Sequence, residues 1–321
     1  MKRRIGFVAA VLVFVLLAAY FAVSYAVYDK LSRVTAGGGD SAKNVPASFV
    51  NTYPEFSSFS EAPYHMAQYV NVRIPSRQSG IMLAGWYVPG DPGAPAIVIT
   101  HGINGCKCDP NVLTVAGMLH RHGFNVLLYD MRNHGQSDVD NGRTAIGNKE
   151  YLDTLGAWDW LVAQKHFAPA RVGLYGESLG AGTTLIAFGE EPRIPATFVD
   201  SPYADLKEII NEELARNHYP RILADGSIFM ARIVSGDDLL AHSPQEAIRN
   251  DAGRPIFIVH GTGDQRINVH HTQQLADLAT ELGANVTVWM PPGVGHVAAE
   301  FDLPQEYEQR LDAFFDQSLS H

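Results

Sequence analysis

Cysteine is nearly absent from this 321-residue chain: Cys106 and Cys108 are the two present, one residue apart in a single loop. Two thiols do not make a disulfide scaffold, and with nothing nearby to complete a ligand set they do not make a zinc site. They stand either as a local bridge formed outside the cytoplasm or as two free thiols. Clusters of Lys and Arg are absent from the body of the chain. With a formal net charge of −10, that argues against binding nucleic acid through its phosphates. No internal repeat is present. The composition, 46% hydrophobic and 18% charged, fits a globular protein with a sizeable core, in one large domain or two ordinary ones.

Charge is also missing from Ile5 to Val27, a nearly unbroken apolar run behind Lys2, Arg3 and Arg4. At helical rise the run is long enough to cross a hydrocarbon core, and it is apolar on every face, unlike a helix half-buried in a soluble domain. It is expected to be one transmembrane helix. The basic residues place the N-terminus in the cytoplasm and the rest of the chain on the other side. A secretory signal cleaved near Ala22-Val23-Ser24, releasing the remainder, is the alternative. Residues 1–28 are thus read as a basic stub and anchor, 29–64 as a linker containing the flexible stretch Ala36–Lys43, and 65–321 as the main folded domain.

Within that domain strands and helices alternate. Gln68–Ile74 and Ile81–Val88 read as an antiparallel pair, followed by strands at Ala96–Thr100, Asn125–Tyr129, Arg171–Tyr175, Ala196–Asp200, Pro255–His260 and Asn285–Met290. Helical patterns fall between them at about 110–122, 149–165, 179–189, 269–282 and 304–317. The rhythm predicts an α/β fold with a mostly parallel eight-stranded sheet covered by helices on both faces. The span 202–243 breaks the rhythm, with helical patterns at Leu206–Arg216 and Ser227–Val234, and is a candidate lid.

The chemistry centres on Gly176-Glu177-Ser178-Leu179-Gly180. G-x-S-x-G alone is weak in a glycine-rich chain, but here it joins an apolar strand to a small-residue helix. That setting presents a serine hydroxyl at the sheet edge on a strained turn. The blander reading is a turn in which Ser178 caps the helix. A serine nucleophile needs a base to take its proton and an acid to orient that base. Asp264, after the strand Ile256–His260 and the turn Gly261–Gly263, is the acid expected on the same rim, with Asp200 as its rival. His296, in the loop after the last strand, is the base. His101, His134, His270 and His271 suit positioning, capping or surface roles. Backbone N–H groups of Leu179 and of Ile103, or Asn104 in its place, are expected to receive the oxyanion.

Together, Thr100-His101-Gly102, Tyr129–Ser137 with its D-x-R-x-H-G-x-S core, the Gly176–Gly180 elbow, His260–Asp264 and Gly295-His296 resemble the α/β-hydrolase family over about Gln68–Leu319. Membrane-anchored bacterial relatives of the Bem46-like hydrolases look most similar. The resemblance implies a Ser178, His296, Asp264 triad working through an acyl-enzyme, with no metal or organic cofactor required. The expected activity is cleavage of a carboxylic ester of a small-molecule or lipid-like acyl substrate. A peptidase or thioesterase is the nearest alternative, and a non-catalytic membrane-anchored binding protein is the alternative of another class. Apolar lid residues such as Ile209, Ile210, Leu214 and Ile228 are either an acyl lining or ordinary packing faces.

Overall fold

The computed structural model describes residues 2–35 and 39–319. Ala36, Gly37 and Gly38 of the expected flexible stretch lie outside the described residues. The apolar runs form one eight-stranded sheet in the order β1-β2-β4-β3-β5-β6-β7-β8. β1 (Val70–Pro75), β2 (Met82–Val88) and β4 (Asn125–Tyr129) pair antiparallel, and from β4 onward the neighbours are parallel. β3 (Ala96–Thr100), β5 (Val172–Glu177), β6 (Thr197–Asp200) and β7 (Ile256–Val259) are buried along their whole length, which is why they carry little alternation. β8 (Val286–Trp289) closes the edge.

The chain leaves β3 toward β4 on one side, and β5 lies on the other, with Thr100 paired to Gly176. The loops after β3 and β5 therefore diverge from a topological switch point, where a crevice opens at the carboxyl ends of the strands. One sheet face is packed by α3 (Tyr151–Gln164), α4 (Leu179–Glu190) and α8 (His270–Leu282), through Trp158, Leu185 and Leu275. The other is packed by α2 (Pro110–Arg121) and α10 (Pro304–Ser318), through Leu119, Leu311 and Phe315.

α1 (Lys2–Ser32) exposes its apolar residues from Ile5 to Leu17 and continues past residue 28. Residues 29–35, expected to begin a linker, are bonded to the domain: Thr144 N–H donates to Ser32 O (2.8 Å) and Val34 N–H to Gly142 O (3.0 Å). Residues 39–66 wrap the domain in short turns, burying Phe49, Tyr64 and Met66.

The lid contains α5 (Leu206–Arg216) and α6 (Leu223–Ser235), and α7 (Pro244–Arg249) returns the chain to the sheet. α6 starts earlier than Ser227 because its helix runs through Asp225-Gly226, a turn-type pair. At Gly226 a Cβ would meet Ser24 and Tyr20 of α1, so tertiary packing selects the glycine within a helix. A short α9 (Ala299–Asp302), which no periodicity signalled, follows the His296 loop.

Candidate active site

Ser178 sits at φ 54° and ψ −120°, a conformation that L-residues rarely adopt, where β5 turns sharply into α4. Its flanks must be glycine. A Cβ at 176 would collide with the Gly180 carbonyl and Thr184 Oγ1, and one at 180 with the carbonyls of Thr100 and His101. Ser178 makes no side-chain cap bond, so capping does not explain the serine.

Its Oγ lies 2.9 Å from His296 Nε2, and His296 Nδ1 lies 2.6 Å from Asp264 Oδ2. Asp264 Oδ1 accepts the N–H groups of Arg266 (2.7 Å) and Ile267 (2.9 Å). Burial alone would raise the Asp264 pKa. Hydrogen bonds from His260 and His296, the charge of His296 and the Ile267 N–H outweigh it, holding the carboxyl well below the usual range. The loops carrying Asp264 and His296 meet backbone to backbone, with Gly263 N–H donating to Val294 O at 2.9 Å. A Cβ at Gly261 would collide with the same carbonyl, which accounts for the glycines of His260–Asp264.

Sequence reasoning missed His260. This fully buried ring, Nδ1 paired to Thr272 Oγ1 at 2.7 Å, points Nε2 at Asp264 Oδ2 (3.1 Å) and Ile267 O (3.0 Å). A histidine four residues before the expected acid, at the end of a buried strand, was the available signal.

Asp200 does not reach His296 by a hydrogen bond; its carboxylate accepts from Ser201 Oγ (2.8 Å) and Tyr307 Oη (3.1 Å). Burial pushes it up from 3.8 to about 6. The folded protein therefore holds a proton that the unfolded chain has released between these values. This contribution to stability is full below the unfolded value and is lost as pH rises through about 6. Asp200→Asn should remove that loss, so its Tm relative to wild type should rise between pH 4 and pH 8, by an equivalent of about 1–3 kcal/mol. Thermal denaturation of both proteins across this range checks the sign.

Ile103, in the loop after β3, and Leu179, opening α4, border one cavity with Ser178. Asn104 has φ 57°, and its Oδ1 accepts the N–H of Thr35 at 2.8 Å, tying the loop to the end of α1. His101 is locked as a neutral ring: Nδ1 faces Gly102 O (2.7 Å), Nε2 accepts from Met131 N–H (3.0 Å), and burial pushes it down to about 3. His134 packs edge-on against it. His270 and His271 lie on α8, facing Glu208 and Glu212 of α5. Cys106 and Cys108 are disulfide-bonded, and between them Lys107 is buried against Asp130 at 2.5 Å.

Two cavities flank Ser178. One, of about 350 Å³, is lined by the lid residues Ile209, Ile210, Leu214 and Ile228, and by Tyr28 and Leu31 of α1. The other, of about 320 Å³, is more polar, with Tyr53, Asp109, Asn111 and Glu177 beside His296. Part of the lid's apolar set therefore faces the site, whereas Ile222, Phe229 and Ile233 point outward.

A mostly parallel eight-stranded sheet, with a serine elbow at its switch point and a helical lid above, defines an α/β-hydrolase. Within that superfamily the chain belongs to the prolyl oligopeptidase family, whose model matches residues 111–321 and so spans Ser178, Asp264 and His296. An uncharacterized Mycobacterium tuberculosis protein is 30% identical over 227 residues, 68% of this chain and 69% of its own. A thiohydrolase of Aspergillus aculeatus is 25% identical over 169 residues, 53% of this chain and 51% of its own. Among solved structures, an esterase of Pyrococcus furiosus shares the fold with a TM-score of 0.64 at 23% identity, over 86% of this chain and 98% of that one.

Proposed function

We propose that the protein is a membrane-anchored serine hydrolase that cleaves carboxylic esters through an acyl-enzyme. One observation carries the reading: the continuous hydrogen-bonded chain Asp264–His296–Ser178 opening onto an apolar cavity. With Nδ1–H held by Asp264, His296 presents Nε2 as the proton acceptor for Ser178 Oγ. Oγ attacks the acyl carbon, and the carbonyl oxygen takes the negative charge, facing the N–H groups of Leu179 and Ile103. Collapse expels the alkoxide, which receives the proton from His296. Water, deprotonated by the same ring, then repeats the attack and releases the acid.

The apolar acyl cavity supports an ester with a hydrocarbon acyl group. The length and uniform apolarity of α1 support an uncleaved anchor, and the Cys106–Cys108 disulfide supports a site outside the cytoplasm. Membership of the prolyl oligopeptidase family favours one second reading, amide cleavage. Kinetics with acyl esters, thioesters and aminoacyl amides separate them. Esters are expected to give the highest kcat/KM, and turnover of amides without esters would overturn the assignment.

A further inference from the structure

We propose that α1 is a wall of the acyl site as well as an anchor, and that the substrate is an ester whose hydrocarbon chain is drawn from the bilayer along the seam between α1 and α6. The proposal deepens the reading above and rests on it, taking Ser178 as nucleophile and α1 as retained.

The seam is built, not incidental. α1 buries Ser24, Val27, Tyr28 and Ser32, a helical stripe that begins only where α6 starts to pack. Tyr20 Oη donates to Ile222 O (2.9 Å), Ser227 Oγ to Ser24 O (3.3 Å), and Tyr28 Oη pairs with Ser235 Oγ (2.5 Å). These three contacts run in the same order along both helices, and Phe21 also meets Phe229. Gly226 is the point of closest approach, where a Cβ would meet Ser24 Oγ. Cleavage after Ser24 would strip half of this interface.

The same end of α1 reaches the chemistry. Tyr28 and Leu31 line the cavity that ends at Ser178, and Ile228 of α6 lines it near the seam. The apolar lining therefore extends from the nucleophile toward the crossing of α1 and α6, the membrane-facing side of the domain.

The level of the bilayer follows from the helix. A hydrocarbon core of about 30 Å takes about 20 residues, which counted from Ile5 end near Ser24. Tyr20 and Phe21 then stand at the outer boundary, and so do the α6 residues that touch them. Ile222 is 74% exposed and Phe229 48%. The ring of Phe229 lies 5.3 Å from that of Phe21, so the lid's uncovered apolar surface continues directly onto that of the spanning helix. A bilayer that solvates Phe21 also solvates Phe229, which identifies the occupant of this face. The charges flanking the stripe are paired, Asp225 with Lys207 and Arg232 with Asp238.

The full chain in phosphatidylcholine vesicles provides the test. Alkyl fluorophosphonates of short and long chain report Ser178 by displacement of fluoride, without knowledge of the natural ester. The ratio of long-chain to short-chain labelling rates should fall about tenfold in Leu31→Trp, which fills the cavity from α1, and likewise in Gly226→Leu, which wedges α6 away from α1. Leu31→Trp leaves the helix seam intact, so the outcome does not depend on the folding of the glycine variant. Independently, a fluorophore attached at Phe229→Cys should be quenched by brominated acyl chains in the vesicle. An unchanged chain-length ratio in Leu31→Trp, or an unquenched fluorophore, would overturn the proposal. Failure of every fluorophosphonate to label Ser178 would instead overturn the nucleophile reading beneath it, with the quenching result still deciding the bilayer contact. A mature N-terminus beyond residue 24 would overturn the anchor.

Discussion

Ser178→Ala should leave a folded protein whose kcat is lower by about five to six orders of magnitude, with fluorophosphonate labelling abolished. The size of the effect follows from the arrangement of His296. Its Nε2 faces Ser178 Oγ at 2.9 Å, and without that oxygen the ring has no nucleophile to activate. The residual rate comes from whatever stabilisation the N–H groups of Leu179 and Ile103 give to direct attack by water, so it should not fall to zero. Asp264→Asn should cost about 10⁴ in kcat, because an amide no longer enforces the Nδ1–H tautomer of His296. Folding should survive in Ser178→Ala, since β5 and α4 keep every backbone bond. The strain at φ 54° persists with alanine, but glycine relieves it. Ser178→Gly should therefore be the more stable of the two inactive proteins, by about 1 kcal/mol. Equal kcat for Ser178→Ala and wild type on esters would remove Ser178 from the chemistry.

The sheet was legible because β3, β4 and β5 are short runs with no polar interior position, separated by helical periods of ordinary length. Ser178, His296 and Asp264 were legible because each follows a strand on the same rim, in an order that the elbow makes meaningful. Their hydrogen-bonded geometry is a tertiary fact that spacing anticipates only in outline. What stayed hidden depends on partners far away in sequence. His260 looked like the last residue of a strand, and only the fold places its ring on Asp264 and Thr272. Tyr28 looked like the end of an anchor and Leu31 like the start of a linker, although their helix packs against a lid some 200 residues later. Asp225-Gly226 reads locally as a turn, yet becomes helix because α1 presses against it.

The same kind of hidden partnership sets the second large effect. Lys107→Met should lower unfolding stability by about 3–5 kcal/mol, seen as a fall in Tm on the order of 10 °C. A lysine is almost never fully buried unless it is paired. In the fold Lys107 is 3% exposed, with Nζ 2.5 Å from Asp130 Oδ2, 3.1 Å from Gln136 Oε1, and 4.7 Å from the centre of the Trp86 ring. Asp130 is fully buried, and its remaining capacity is taken by the N–H groups of Lys107 (2.8 Å) and Gln136 (2.9 Å). Methionine keeps the stem packed and removes only the charge, so the loss measures the unpaired carboxylate rather than a cavity. Lys107→Met combined with Asp130→Asn removes both charges while retaining an acceptor for one of the two N–H groups, and should recover part of the stability. A single variant as stable as wild type by denaturant titration would show that Asp130 is not relying on Lys107. Because the ion pair joins the loop bearing Ile103 to the loop beginning at Asp130, its loss should also speed backbone amide hydrogen exchange across residues 103–109. The loop bearing the donor expected to meet the oxyanion is thus fixed by this buried charge pair as well as by the packing of Ile103 on the core.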